Sequence, residues 1–234
     1  MRVLVTGIGG YVGAAIADGL LDEGFEVVGV DRRPPLVDAD RLSGFIKADL
    51  GRTGELSLLG GLSPGVDHLV HAAGGADASE VAHPDLIPDD EVVRHTLDDN
   101  LISAINVLRL TSTIFNQGAS DRSLTLISSI NAFRSFGLPA YSSAKAGLAG
   151  LMVSMAPVMA RSGIRLNLLT LGTVRHPGVE HLHSASPRHF EDLAEAAPLS
   201  RLTSLAEVGS AAKFTISNRA IHGSEIILDS GQSS

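Results

Sequence analysis

Thr6-Gly7-Ile8-Gly9-Gly10-Tyr11-Val12-Gly13 is the stretch on which the fold turns. It joins a short apolar run, Arg2–Thr6, that reads as a buried strand to residues 11–23, which read as a helix. Glycines here let the backbone turn tightly and approach a pyrophosphate, and the helix N-terminus adds N–H donors and the positive end of its dipole. The spacing is T-G-x-x-G-x-x-G, because Val12 stands where the commoner G-x-G-x-x-G has its last glycine. A glycine-rich turn without a ligand is the plainer alternative, but the position after the first strand favours phosphate. Gly7, Gly10, Tyr11, Val12 and Gly13 are therefore candidate cofactor contacts.

Outward from this turn, β-branched runs alternate with longer helical patterns. Strands are expected at residues 25–31, 45–48, 66–72, 123–129, 164–171 and 224–228. Helices are expected at about 89–117, and at 140–161, 191–197 and 204–217. In the long one, Leu97, Leu101, Ile105, Leu108 and Phe115 recur at three-, four- and seven-residue spacings and predict one apolar face. Strand–helix alternation implies right-handed βαβ units: an α/β fold, a doubly wound parallel sheet of about seven strands with helices on both faces. No composition shift marks a boundary, so residues 1–234 are read as one domain. Segments 32–44, 74–88 and 172–188, rich in Gly, Pro or charge, are expected to lie outside the core.

The bulk composition agrees. The chain has 234 residues, 44% hydrophobic and 19% charged, enough for a sizeable core. It has no cysteine, which excludes disulfides and thiol chemistry. A formal net charge of −8 argues against nucleic-acid or anionic-membrane partners. The first residues run straight into a strand, with no basic leader and apolar run, so no signal peptide is expected. No uninterrupted apolar stretch approaches the ~18 residues of a membrane span. The cytoplasm is the expected location.

Asp31 closes the second strand, 24 residues after Gly7, near the ~20 expected for an acid that binds an adenosine ribose. Such a carboxylate accepts hydrogen bonds from the ribose hydroxyls and repels a 2′-phosphate, which favours NAD. Arg32 and Arg33 leave NADP as the alternative. Asp49, after the third strand, can meet the adenine or can cap a helix.

Tyr141 and Lys145 stand at i and i+4, on one helix face. A phenol, with a pKa near 10, is a poor base at neutral pH; a neighbouring ammonium favours the phenolate. The pair can exchange a proton with an alcohol or carbonyl. An exposed Tyr and Lys on an amphipathic helix is the competing reading on spacing alone. Context shifts the balance: Ser128 and Ser129 sit at the carboxyl end of the fifth strand, where open α/β sheets bind ligands, and Asn100 lies inside a helix, where Asn is a poor former.

Taken together, these residues resemble the short-chain dehydrogenase/reductase family over nearly the whole chain. The likeness rests on Thr6–Gly13, Asp31, Asp49-Leu50, His71-Ala72-Ala73-Gly74, Asn100, Ser128-Ser129, Tyr141-Ser142-Ser143-Ala144-Lys145, Ile164-Arg165-Leu166-Asn167 and Asp229-Ser230-Gly231. The resemblance implies an NAD(H)-dependent oxidoreductase acting on a secondary alcohol or a ketone or aldehyde. Tyr141 would be the acid/base, and Lys145 would hold the nicotinamide ribose and lower the Tyr pKa. Ser129 would bond the reacting oxygen, and Asn100 would anchor a water in a proton relay. Asp31, Arg32, Asp49, Leu50, Ala72, Ala73, Gly74, Gly172, Thr173 and Val174 would join the glycine motif around the cofactor. The family also implies a homodimer or homotetramer, built partly on the small-residue helix from Ala140.

Departures accompany the likeness. Tyr11 stands where short members usually carry Gly, so the glycine motif looks like that of the longer branch, yet there is no room here for that branch's second domain. The usual Pro-Gly is Leu171-Gly172, and Thr173 stands in for the usual carboxamide-binding Thr. Ser129 precedes Tyr141 by one residue fewer than is common, which leaves Ser128 as a candidate. The rival readings are a catalytically silent dinucleotide-binding regulator and an NAD-dependent epimerase. His176, His181, His183 and His189 with Glu180 suggest a lid over residues 172–190 in preference to a metal site. Arg134, Arg175 and Arg188 hint at an anionic group on the substrate.

Overall fold

In the computed structural model, which describes residues 1–62, 65–134, 136–183 and 188–234, the apolar runs pair into one seven-stranded sheet. The strands are β1 (Arg2–Thr6), β2 (Glu26–Asp31), β3 (Gly44–Lys47), β4 (His68–His71), β5 (Arg122–Ser129), β6 (Ile164–Leu171) and β7 (Glu225–Leu228). Their order is β3-β2-β1-β4-β5-β6-β7, and every pairing is parallel. Period-two alternation divides each central strand between two cores. Leu4, Val28, Leu69, Leu124 and Leu166 face one side; Val3, Val5, Val27, Val70 and Leu169 face the other. β1 and β2 carry the nearly continuous apolar runs that burial on both faces favours, whereas β5 and β6 include buried polar residues such as Thr125 and Asn167.

The helices are α1 (Tyr11–Asp22), α2 (Ala78–Ala82), α3 (Asp90–Leu97), α4 (Ser103–Arg109), α5 (Thr111–Ile114), α6 (Pro139–Arg161), α7 (Pro177–Leu182), α8 (His189–Ala196) and α9 (Leu205–Ser217). Ile16 and Leu20 of α1 with Val208 and Ala212 of α9 fill the second core. Val107 of α4 and Leu148 and Met152 of α6 fill the first. Helix α9 starts on a capping box, Ser204 with Glu207.

The long helix expected at 89–117 differs from a single rod. It is α3, a π turn over Asp98–Ile102, then α4 and α5. The cause is Asn100, fully buried. Its Nδ2 donates to the carbonyls of Thr96 and Gly75. Widening the helix by a residue re-aims everything after it, so Leu108 and Phe115 are buried while Ile105 stays half-exposed.

Helix α6 has the length and apolarity to cross a bilayer, but Ala144, Lys145, Leu148, Met152, Ala156 and Met159 form a buried stripe that packs on β5 and β6. Val153 on its other side is 69% exposed. Segment 74–88, expected to lie outside the core, contains the short helix α2 and one buried side chain, Glu80.

Because the chain crosses from β3 on one flank to β4 on the other, the strand order reverses between β1 and β4. Loops leaving the carboxyl ends of these two strands diverge, which opens a crevice there.

Candidate active site

That crevice is a cleft of about 710 Å³. The glycine motif forms one wall. Gly7 has φ +76°, and a Cβ on it would collide with the Ala72–Ala73 peptide, so only glycine lets β1 and β4 end side by side. Gly10 opens α1 with no side chain capping the helix, so its first amides face the cleft bare. Bare amides at a helix N-terminus, with no Cβ at Gly9 or Gly10 to obstruct, suit a phosphate.

Asp31 is buried at the end of β2. Its carboxylate accepts from the backbone N–H of Gly9 at 2.9 Å and of Arg33 at 2.8 Å. Arg32 turns away and forms a two-pronged pair with Asp99, at 3.0 and 2.8 Å, with Asp49 3.8 Å away. Arg33 is exposed, its Nε 3.7 Å from Asp31. Asp49 and Leu50 line the same end of the cleft.

Behind the middle of the cleft runs a buried polar chain. The N–H of Ala73 donates to Thr6 Oγ1, at 3.3 Å. Thr6 Oγ1 lies 2.8 Å from His71 Nδ1, and His71 Nε2 lies 3.1 Å from Ser103 Oγ. Ser103 Oγ donates to the Asp99 carbonyl at 2.6 Å. With Ser103 donating onward, it accepts from Nε2–H, and Nδ1 accepts from Thr6. That assignment needs a neutral ring. Burial, with the Lys145 charge second, accordingly holds His71 down to about 3. This chain fixes Ala72 and Ala73, both on the cleft wall.

At the far end lie Ser129, Tyr141 and Lys145. Tyr141 is bonded to Ser129 through its hydroxyl, and burial raises the phenol above its ordinary value more than that bond lowers it. Lys145 Nζ sits 5.5 Å from the Tyr141 ring centroid and donates to the Ile127 carbonyl at 3.1 Å. Burial lowers its ammonium to about 8. Burial thus sets the direction for Tyr141, against the fall expected from a neighbouring ammonium. The two serines separate. Ser128 donates back to the Lys145 carbonyl at 3.3 Å, whereas Ser129 bonds Asn131 at 3.0 Å and faces Tyr141.

Asn100 lies apart from this trio. Its side chain closes on Gly75, donating to the carbonyl at 2.9 Å and accepting from the N–H at 3.0 Å. Gly74, at φ +130°, gives it room. Gly172, Thr173 and Val174 line the cleft beyond β6. Thr173 pairs with the Gln232 side chain through both its N–H, at 2.7 Å, and its hydroxyl, at 3.2 Å.

The histidine segment divides too. His176 stacks on Tyr11, with ring centroids 4.8 Å apart, and its Nδ1 accepts from Val179 N–H at the start of α7. His183 stacks on His189 at 3.9 Å. No group of three or more potential metal ligands occurs among the described residues. Residues 184–187 of the expected lid lie outside those described. Arg175 pairs with Glu180 and Glu191, and Arg188 with Asp192 and Glu195, so two of the three arginines expected to attract an anion are paired with acids of α7 and α8, while Arg134 is exposed.

Sequence reasoning missed Glu80, Asp99, Asn131 and Gln232. All four act through tertiary partners distant in the chain or through a local turn that no periodicity announces.

Fold and site together define a dinucleotide-binding α/β oxidoreductase. A family model described as enoyl-(acyl carrier protein) reductase matches residues 7–233. The chain belongs to the short-chain dehydrogenase/reductase family, whose members bind a nicotinamide dinucleotide. It is 27% identical to the L-fucose dehydrogenase of Oryctolagus cuniculus, an alignment covering 98% of this chain and 84% of that protein. A solved short-chain dehydrogenase/reductase from Burkholderia thailandensis is 29% identical, with a TM-score of 0.83 over 99% of this chain and 92% of that one. A 4-hydroxyisoleucine dehydrogenase complexed with NADH shares the fold at a TM-score of 0.86 and 20% identity, over 99% of this chain and 98% of that one.

Proposed function

We propose that this protein is an NAD(H)-dependent enzyme interconverting a secondary alcohol and a ketone or aldehyde, with Tyr141 as the acid/base. One observation carries the reading: the Tyr141 hydroxyl, bonded to Ser129 and backed by Lys145, lies in the same cleft as the bare glycine motif and Asp31. Gly7, Gly10, Tyr11, Val12 and Gly13 would hold the pyrophosphate, Asp31 the adenosine ribose, and Asp49 and Leu50 the adenine. Ala72, Ala73, Gly74, Gly172, Thr173 and Val174 would flank the nicotinamide half. When bound, the nicotinamide supplies or accepts the hydride.

The chain's own residues do the rest. In reduction, Tyr141 gives its proton to the carbonyl oxygen, which Ser129 holds by a hydrogen bond. Lys145 steadies the phenolate that remains. Asn100 would anchor the relay water through the acceptor capacity its bonds to Gly75 and Thr96 leave over. A protonated phenol, held so by burial, suits proton donation at neutral pH. The arginine pairings on segment 172–190 favour a substrate that is neutral near its reacting carbon. That segment acts as a lid on this reading, and the whole chain works as one cytoplasmic domain.

Turnover of a panel of neutral ketones with NADH tests the activity. Asp31 should make kcat/KM with NADH exceed that with NADPH by at least about tenfold, and Asp31→Ala should narrow the ratio. A wild-type preference for NADPH would move the assignment to Arg33, the arginine not tied to Asp99. Assembly as a homodimer or homotetramer fits the exposed flank of α6 around Val153. Light scattering at micromolar concentration should give at least twice the 24.3 kDa chain mass, and a monomer would overturn this part of the reading.

A further inference from the structure

Helix α6, which carries Tyr141 and Lys145, begins without a cap of its own. Its N-cap is Leu138, held at φ 57° with no side-chain bond to the first turn, and Pro139 follows at the first helical position. The next N–H groups, of Ala140 and Tyr141, are among the orphan donors every helix start exposes. Both are met by a single side chain 60 residues away. Glu80 of α2 accepts from Ala140 N–H at 2.6 Å through Oε1, and from Tyr141 N–H at 3.3 Å through Oε2. It is 1% exposed, and no cation pairs with it among the described residues. A buried carboxylate without a counter-ion persists only where hydrogen bonds and the helix's positive end compensate it.

Further contacts tie the same segment to the same turn. The Pro84 carbonyl accepts from Leu138 N–H at 2.8 Å, and a Cβ on Gly137 would strike that carbonyl. At its other end the segment is clasped by Asn100, which bonds both polar groups of Gly75. Between these anchors, Ala76, Asp77, Ala78 and Val81 line the cleft, as Tyr141 does.

We propose that Glu80 is a positioning residue for catalysis: it caps α6 from α2 and thereby sets where the Tyr141 hydroxyl stands relative to Ser129. The inference rests on the Tyr141 reading above. It takes the segment after β4 to be a brace between Asn100 and the helix that carries Tyr141. The glycine motif and Asp31, which would hold the pyrophosphate and the adenosine ribose, belong to β1, α1 and β2, outside this segment and outside α6.

The test uses Glu80→Ala and Glu80→Gln in the full chain. Gln keeps the shape and one carboxyl-like acceptor, whereas Ala leaves two buried donors unmet. Glu80→Ala should lower kcat at least about tenfold, in the range of a misplaced catalytic group, with KM for the dinucleotide within about twofold of wild type. Glu80→Gln should restore most of kcat. Amide hydrogen exchange at Ala140 and Tyr141 should quicken in Ala and stay slow in Gln. Wild-type kcat in Glu80→Ala would overturn the proposal. So would equal loss in both variants, or a parallel loss of dinucleotide affinity. If wild type turns over no carbonyl substrate, the function reading is at fault; the exchange measurement still judges the cap, and unchanged exchange in Glu80→Ala would overturn it alone.

Discussion

Replacing Tyr141 with Phe should lower kcat by ~10²–10⁴-fold, the range for losing a general acid–base group, while dinucleotide binding persists. The ring stays under Lys145 Nζ, so packing changes little. What disappears is the hydroxyl bonded to Ser129. The wild-type enzyme should also show a directional pH dependence. Burial holds the phenol protonated, above its ordinary value, so reduction is served at neutral pH. Alcohol oxidation needs the phenolate and should quicken as pH rises through the alkaline range. Steady-state rates in both directions, with dinucleotide affinity measured by fluorescence titration, check this. A Phe variant that turns over normally would remove Tyr141 from the mechanism.

Stability should fall steeply below pH 6.5, and two buried histidines set that edge. His68 is held at about 4 by burial, its Nδ1 2.9 Å from Ser123 Oγ. His71 is held at about 3, again chiefly by burial. Both have folded values below the unfolded value of about 6.5. The unfolded chain therefore binds more protons in acid, and stability rises with pH across the window between the folded values and 6.5. Full stability is present above 6.5 and is lost progressively as pH falls toward 4. Each histidine contributes up to about 1.4 kcal/mol per pH unit. Going from pH 7.5 to 5.5 should remove about 2–3 kcal/mol for the pair, a large share of a typical folding free energy. Denaturant unfolding at the two pH values measures it. His68→Gln should lower baseline stability yet reduce the pH slope by up to about 1.4 kcal/mol per pH unit. A wild-type stability flat between 7.5 and 5.5 would refute the assignment.

Much of this is legible in the sequence. Gly7, Gly10 and Gly13 between a strand and a helix, Asp31 at the next strand end, and Tyr141 with Lys145 at i, i+4 are local patterns, and local patterns survive folding. The parallel sheet with right-handed crossovers follows from the strand–helix alternation, whereas the strand order comes from the structure. What stayed hidden is tertiary. A lone Glu80 in a stretch without periodicity carries no sign that it will cap a helix 60 residues on. Arg175 and Arg188 read as free cations because their acidic partners face them only once α7 and α8 have formed. The single-rod expectation for 89–117 failed because an apolar repeat reports a face, and one buried Asn100 side chain bonding back to Thr96 inserts an extra residue into the turn without altering the repeat nearby. Ser128 and Ser129 differ only in which side of β5 each turns its hydroxyl to, and a one-residue shortening blurred that choice.

The Asp31 carboxylate is bonded to Gly9 N–H, and on the proposed NAD reading this shapes how cofactor preference could change over generations. A lineage drifting from NAD toward NADP has to discard the carboxylate, and in doing so unfastens the glycine turn that either dinucleotide needs. The first step is therefore downhill in fitness for both cofactors. A neutral hydrogen-bond acceptor at position 31, such as Asn or Ser, offers the passable route, because it keeps Gly9 tied while the charge is gone. Directed evolution toward NADPH should accordingly recover Asn or Ser at position 31 first, with gains around Arg33 afterwards.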